Sequence, residues 1–157
     1  MFDHLDLARI RGIVLDVRDN LGGANWHAYS IAGFLIGQPL KAAKWKSISY
    51  GPAHRSGGRP TGWLEGDPFI VEPRKGKTYA GPLVILTEAG TFSAAEDFLV
   101  PFAYSKRALL VGEKTGGSTG NPIVVPLPGG GRFKVVSKRD LRTTIIAVSV
   151  FSSWPSP

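Results

Sequence analysis

An α/β fold, with a central and largely parallel sheet and an added hairpin, is predicted by three observations. Apolar runs of strand length recur at Ile13–Val17, Leu83–Thr87 and Ala108–Val111. Between them, apolar residues return every three or four positions, the period of a helix that buries one face. Gly, Pro, Asn and Asp mark the boundaries. Strand, helix, strand, helix, strand in this order favours right-handed crossovers and layered packing.

The elements follow in order. Ile13-Val14-Leu15-Asp16-Val17 reads as a buried strand of a parallel sheet, closed by the turn set Asp19-Asn20-Leu21-Gly22-Gly23. Ala28, Ile31, Ala32, Leu35 and Ile36 fall at helical spacing, with Asn25 as N-cap and Gly37 and Pro39 as stop. Residues 41–80 are polar and rich in Gly and Pro, and read as a loop-rich insertion flanked by short strands. Leu83–Thr87 is the second buried strand, Glu88–Thr91 a turn, and Ala95, Phe98, Leu99 and Phe102 the buried side of a second helix. Pro101 lies inside that helix. An interior proline costs about 3 kcal/mol, which predicts a kink or an end near Val100. Ala108–Val111 is the third strand. Ile123–Leu127 and Phe133–Val136, joined by Gly129-Gly130-Gly131, form a hairpin. The final residues, 143–157, make an atypical tail: Thr143–Phe151 is uncharged and β-prone, and a truncated or out-of-frame end is the expectation there.

Composition sets bounds. At 157 residues the chain can enclose one core, and 43% hydrophobic residues exclude a disordered class. No apolar run reaches the roughly 20 residues of a membrane-spanning helix, so no transmembrane segment is expected. Met1–Asp6 has neither a basic nor an apolar region, so no signal peptide is read. Cysteine is absent, which excludes disulfides and thiolate catalysis. The net charge of +7 is scattered rather than clustered, so no nucleic-acid partner is expected.

Several chemistries are set aside on spacing. Gly112-Glu113-Lys114-Thr115-Gly116-Gly117-Ser118 has no lysine after its second glycine and is not a phosphate loop. His4, His27 and His54 have no metal-ligand spacing, so neither metal nor cofactor is expected. Ser93 stands apart. It sits where a buried strand ends and a helix begins, a junction that exposes a hydroxyl and aims unpaired N–H groups at what it attacks. Its plain structural role is a helix cap, with Glu96 three residues on completing a capping box. The two roles are compatible.

Three ordered segments resemble the catalytic core of the tail-specific, or C-terminal processing, serine peptidases. Leu15-Asp16-Val17-Arg18-Asp19-Asn20-Leu21-Gly22-Gly23 is similar to that family's "LDLRxNxGG". Gly81–Leu86 followed by Thr91-Phe92-Ser93-Ala94-Ala95-Glu96 is similar to "GPLVVLV…TASASE". Arg107–Gly117 is similar to "RAxxVGExTxG". The resemblance covers roughly residues 10–140 and is weakest over 41–80. It implies a ClpP/crotonase-like spiral of ββα units, so residues 1–142 are expected to form a partial peptidase core. It implies Ser93 as nucleophile, and the backbone N–H of Ala94 with that of Gly22 or Gly23 as oxyanion hole. A polypeptide substrate follows, and an oligomer is compatible because many relatives assemble. The parent protein is implied to belong to a bacterial cell envelope or periplasm, or to be secreted.

Departures from the pattern qualify this. Ser118 stands where the processing branch has the lysine of "TxGKG". The form Gly116-Gly117-Ser118-Thr119-Gly120 is closer to the tricorn-type branch, which uses a histidine from an upstream segment. That histidine matches neither His4 nor His27, so the general base is expected outside this chain. After Lys138–Arg142 the familiar "GxGIxPD" does not follow. A hydroxyl without a base is a weak nucleophile. Two expectations remain open: a serine endopeptidase core acting through an acyl-enzyme on Ser93, with no activity assured for the isolated fragment, or a non-catalytic ligand- or protein-binding module of the same fold.

Overall fold

A computed structural model describes residues 6–7, 9–49 and 51–141; His4 and the predicted tail at 143–157 lie outside the described residues. In chain order the elements are β1 (Ile13–Asp16), α1 (Asn25–Ala32), β2 (Leu40–Lys41), β3 (Lys44–Ser49), α2 (Pro52–Ser56), β4 (Gly62–Gly66), β5 (Ile70–Val71), β6 (Leu83–Thr87), α3 (Ala94–Ser105), β7 (Leu109–Gly112), β8 (Pro122–Pro126), β9 (Arg132–Val136) and β10 (Arg139–Leu141).

The three apolar runs form the predicted parallel sheet, in the order β1-β6-β7. Ile13 stands opposite Leu83 and Asp16 opposite Leu86; on the other side Val84 faces Leu109 and Thr87 faces Gly112. The central strand β6 buries Leu83, Ile85 and Thr87. β1 differs from expectation. It is an edge strand with alternating burial, and Val14 is 66% exposed. A strand with one neighbour and one covered face needs apolar residues only at every second position. The core joins Ile85 with Leu99 and Phe102 of α3, Ala32 of α1, Leu35, Ile36 and Val71.

Two boundaries depart from the sequence reading. Periodicity carried the first helix to Ile36, but α1 ends at Ala32. The cause is tertiary: the Arg74 N–H bonds to the Gly33 carbonyl at 2.8 Å, and the Tyr79 N–H bonds to that of Phe34 at 2.6 Å. Carbonyls captured by another segment cannot propagate a helix, yet Leu35 and Ile36 stay buried in the turn that follows. Asn25 is the first helical residue and Ala24 the cap. The Asn25 side chain instead donates to Asp97 Oδ2 at 2.7 Å, joining α1 to α3. The second departure is Pro101. α3 continues through it to Ser105. Val100 and Phe102 are 1% and 0% exposed, and the Phe98 and Phe102 rings lie 4.9 Å apart. Burying each such side chain contributes roughly 1.5–3 kcal/mol, so two or more of them together offset the proline.

Within residues 41–80, β3 pairs antiparallel with β4, β10 pairs with the other side of β3, and β2 pairs with β5. The Gly- and Pro-rich stretch carries the five-residue helix α2. The predicted hairpin is present as β8 and β9, with Pro122 opposite Val136 and Pro126 opposite Arg132.

Candidate active site

The chain after β6 turns sharply before α3. Ser93 occupies the cap position of α3 with φ 56° and ψ −123°. A side chain with positive φ is held in a sparsely populated region at a cost of about 1–3 kcal/mol, and persists only where its surroundings dictate it. They do so here. The Thr91 hydroxyl donates to the Val17 carbonyl at 2.9 Å and accepts the Glu88 N–H at 3.1 Å, tying the turn to the end of β1. The Phe92 N–H reaches the Asn20 carbonyl at 3.0 Å, and the Asp19 N–H reaches Glu88 Oε1 at 2.8 Å. The Gly116 N–H bonds to the Thr91 carbonyl at 3.0 Å. Three segments distant in sequence, 19–23, 88–96 and 115–118, therefore meet around Ser93.

Gly22 approaches the turn closely. A Cβ built there would lie 2.7 Å from the Phe92 carbonyl oxygen, 2.8 Å from the Ala94 nitrogen and 2.8 Å from Ser93 Cβ, and its φ is +95°. The Gly22 N–H donates to Asn20 Oδ1 at 3.0 Å. Gly23 follows with φ +142° and open space on its Cβ side. Ser118 is brought to the same place: its N–H and that of Ser93 share Glu96 Oε2, at 2.9 and 3.1 Å.

A cavity of about 410 Å³ opens beside this turn. Gly22, Gly23 and Ala94 form one wall, and Leu15, Val17, Ala28, Ile31, Ala95 and Phe98 give it an apolar lining. Asp16, Asn20 and His27 complete it. His27, Ala28 and Ile31 share one side of α1; their spacing in the sequence was the only advance sign that His27 would reach this cavity, and spacing alone names no site. His27 also lies against Trp26, with ring centroids 3.4 Å apart. Among the described residues, no group of three or more His, Cys, Asp or Glu side chains is placed to hold a metal ion.

Asp16 carries the clearest electrostatic feature. Arg18 donates to it through Nε at 2.9 Å, Nη2 at 2.7 Å and its backbone N–H at 3.0 Å. Those bonds lower the Asp16 carboxyl from 3.8 to about 2. A carboxyl lowered by folding stabilises the fold above its unfolded pKa, and that contribution fades as pH falls through the folded value. Both side chains are about half exposed, so the effect is small. Asp16→Asn should lower the melting temperature slightly at pH 7, and the difference should close between about pH 4 and pH 2. Parallel melts across that range check it.

The fold thus defines the chain as an α/β protein with a serine at a strained strand-to-helix turn, closed in by two glycine-bearing segments. The model of peptidase family S41 matches residues 1–144, and the chain belongs to that family. Among solved structures, a candidate peptidase from Parabacteroides merdae is similar with TM-score 0.72 and 22% identity, over 91% of this chain and 46% of that one. Mature CPAF complexed with lactacystin is similar with TM-score 0.73 and 17% identity, over 91% and 39%. The photosystem II D1 C-terminal processing protease is similar with TM-score 0.56 and 26% identity, over 89% and 32%. This chain spans less than half the length of each of these three. No curated protein sequence matches it. Among the described residues, no helix is long and apolar enough to cross a membrane.

Proposed function

We propose that this chain is a serine endopeptidase core in which Ser93 attacks the peptide carbonyl and carries the acyl-enzyme. The observation that carries the reading is the Ser93 backbone, with φ 56° between β6 and α3, where a strained turn presents a side chain at a helix start. The oxyanion donors we assign are the N–H groups of Ala94 and Gly23. The Gly22 N–H is already donated to Asn20 Oδ1, so Gly22 acts through close approach rather than as a donor. The Ala94 nitrogen lies close to Gly22, and both glycines and Ala94 border one cavity. Each such donor contributes about 3 kcal/mol to the transition state. The substrate is a polypeptide, and the general base is supplied from outside the described residues.

The apolar lining of the cavity supports a second reading, a module that binds an apolar group without cleaving it. A fluorophosphonate probe separates the two. In a longer protein that supplies the general base, stoichiometric labelling on Ser93 is the expected result; if that protein folds and binds peptide yet resists the probe, the binding module is favoured.

A further inference from the structure

Glu96 is completely buried, with 0% of its surface exposed. Its Oε1 accepts the Thr115 hydroxyl at 2.7 Å and the Gly117 N–H at 2.7 Å. Its Oε2 accepts the Ser118 N–H at 2.9 Å and the Ser93 N–H at 3.1 Å. A capping glutamate needs only the last of these bonds. The other three come from a segment 19 to 22 residues further along the chain. These four donors are all neutral, and burial of a carboxylate is tolerated when such donors satisfy both oxygens.

Resting on the peptidase reading, we propose that Glu96 is a positioning residue that couples the 115–118 segment to the nucleophile turn. One carboxylate oxygen is shared between Ser93 and Ser118, so a shift of either backbone moves the acceptor of the other. The second oxygen anchors that arrangement through Thr115 and Gly117. The backbone of Ser93 is thereby held by a segment it does not otherwise touch through hydrogen bonds, and the strained φ of the turn is maintained from both sides.

Two substitutions test the coupling. In Glu96→Gln an amide replaces one acceptor by a donor. The Thr115 hydroxyl can reverse and accept, so the new NH₂ group settles on that side and faces the Gly117 N–H. Thr115→Val removes one bond to Glu96 and touches neither Ser93 nor Ser118 through its hydroxyl. The readouts are amide hydrogen exchange at Ser93, Gly117 and Ser118, and the rate of fluorophosphonate labelling. Both variants should speed exchange at Ser93 by about tenfold or more, with Ile85 in the central strand unchanged. Labelling should slow by a similar factor while cooperative melting persists. Unchanged exchange at Ser93 in Thr115→Val, or equal acceleration at Ile85, overturns the proposal. If Glu96→Gln does not fold, Thr115→Val alone decides. Labelling is read in a longer protein that includes the base-bearing segment; if that protein is not labelled, the peptidase reading fails while exchange still judges the coupling.

Discussion

Ser93→Ala should abolish fluorophosphonate labelling and lower peptide hydrolysis by at least about 10⁴-fold. The substitution removes the only atom of this residue that can form the acyl bond, so the loss belongs to kcat rather than to peptide affinity. The fold should persist, because the bond from the Ser93 backbone N–H to Glu96 remains when the side-chain half of the capping box is lost. Ser93→Gly makes a sharper comparison. Alanine keeps the steric cost of φ 56°, about 1–3 kcal/mol, which glycine does not have. Glycine gives back roughly 0.5–1 kcal/mol in unfolded-chain entropy. Ser93→Gly should therefore melt at or above Ser93→Ala while being equally inactive. Peptide hydrolysis that survives in both variants would remove Ser93 from the mechanism.

Gly22→Ala should destabilise the chain by roughly 2–5 kcal/mol and lower activity at least about 100-fold. Two effects add. The φ of +95° is costly for any side chain, and the new methyl would overlap the Phe92 carbonyl, the Ala94 nitrogen and Ser93 Cβ. All three neighbours belong to the Ser93 turn, so relief of the clash displaces the groups to which the proposal assigns the reaction. Gly23→Ala provides the control on stability. Its φ of +142° is also strained, but nothing stands within 4 Å of the added carbon. It should lose less stability than Gly22→Ala and still lose activity, because the peptide that carries the assigned Gly23 donor must reorient. Denaturant melts and labelling rates on both variants decide between overlap and strain. Equal stability losses would show that the close approach at Gly22 is unimportant.

The parallel core was legible because Leu83–Thr87 and Ala108–Val111 are apolar runs of strand length and Phe98, Leu99 and Phe102 repeat at helical period. Those are local signals, and burial of one face enforces them. Pro101 and Asn25 misled for the same reason. Local preference predicted a kink or a helix end, and a cap; a buried aromatic cluster carried α3 onward instead of ending it, and Asp97 claimed the Asn25 side chain. The pairing of β3 with β10 joins positions about 95 residues apart and leaves no periodic trace.

Around the candidate site, the sequence by itself determined which segments matter. Ordered motifs at 15–23, 81–96 and 107–117 placed the chain in its family and pointed to Ser93, Ala94 and a glycine pair. Only the tertiary structure shows the Gly22 N–H bonded to Asn20 Oδ1, the bond on which the proposal assigns the donor to Gly23 instead. Only it turned Glu96 from a local cap into the acceptor of four bonds from two segments. The physical reason is common to both. Residue type sets what a group can donate or accept, but which partner takes it depends on distances set when separate segments pack together.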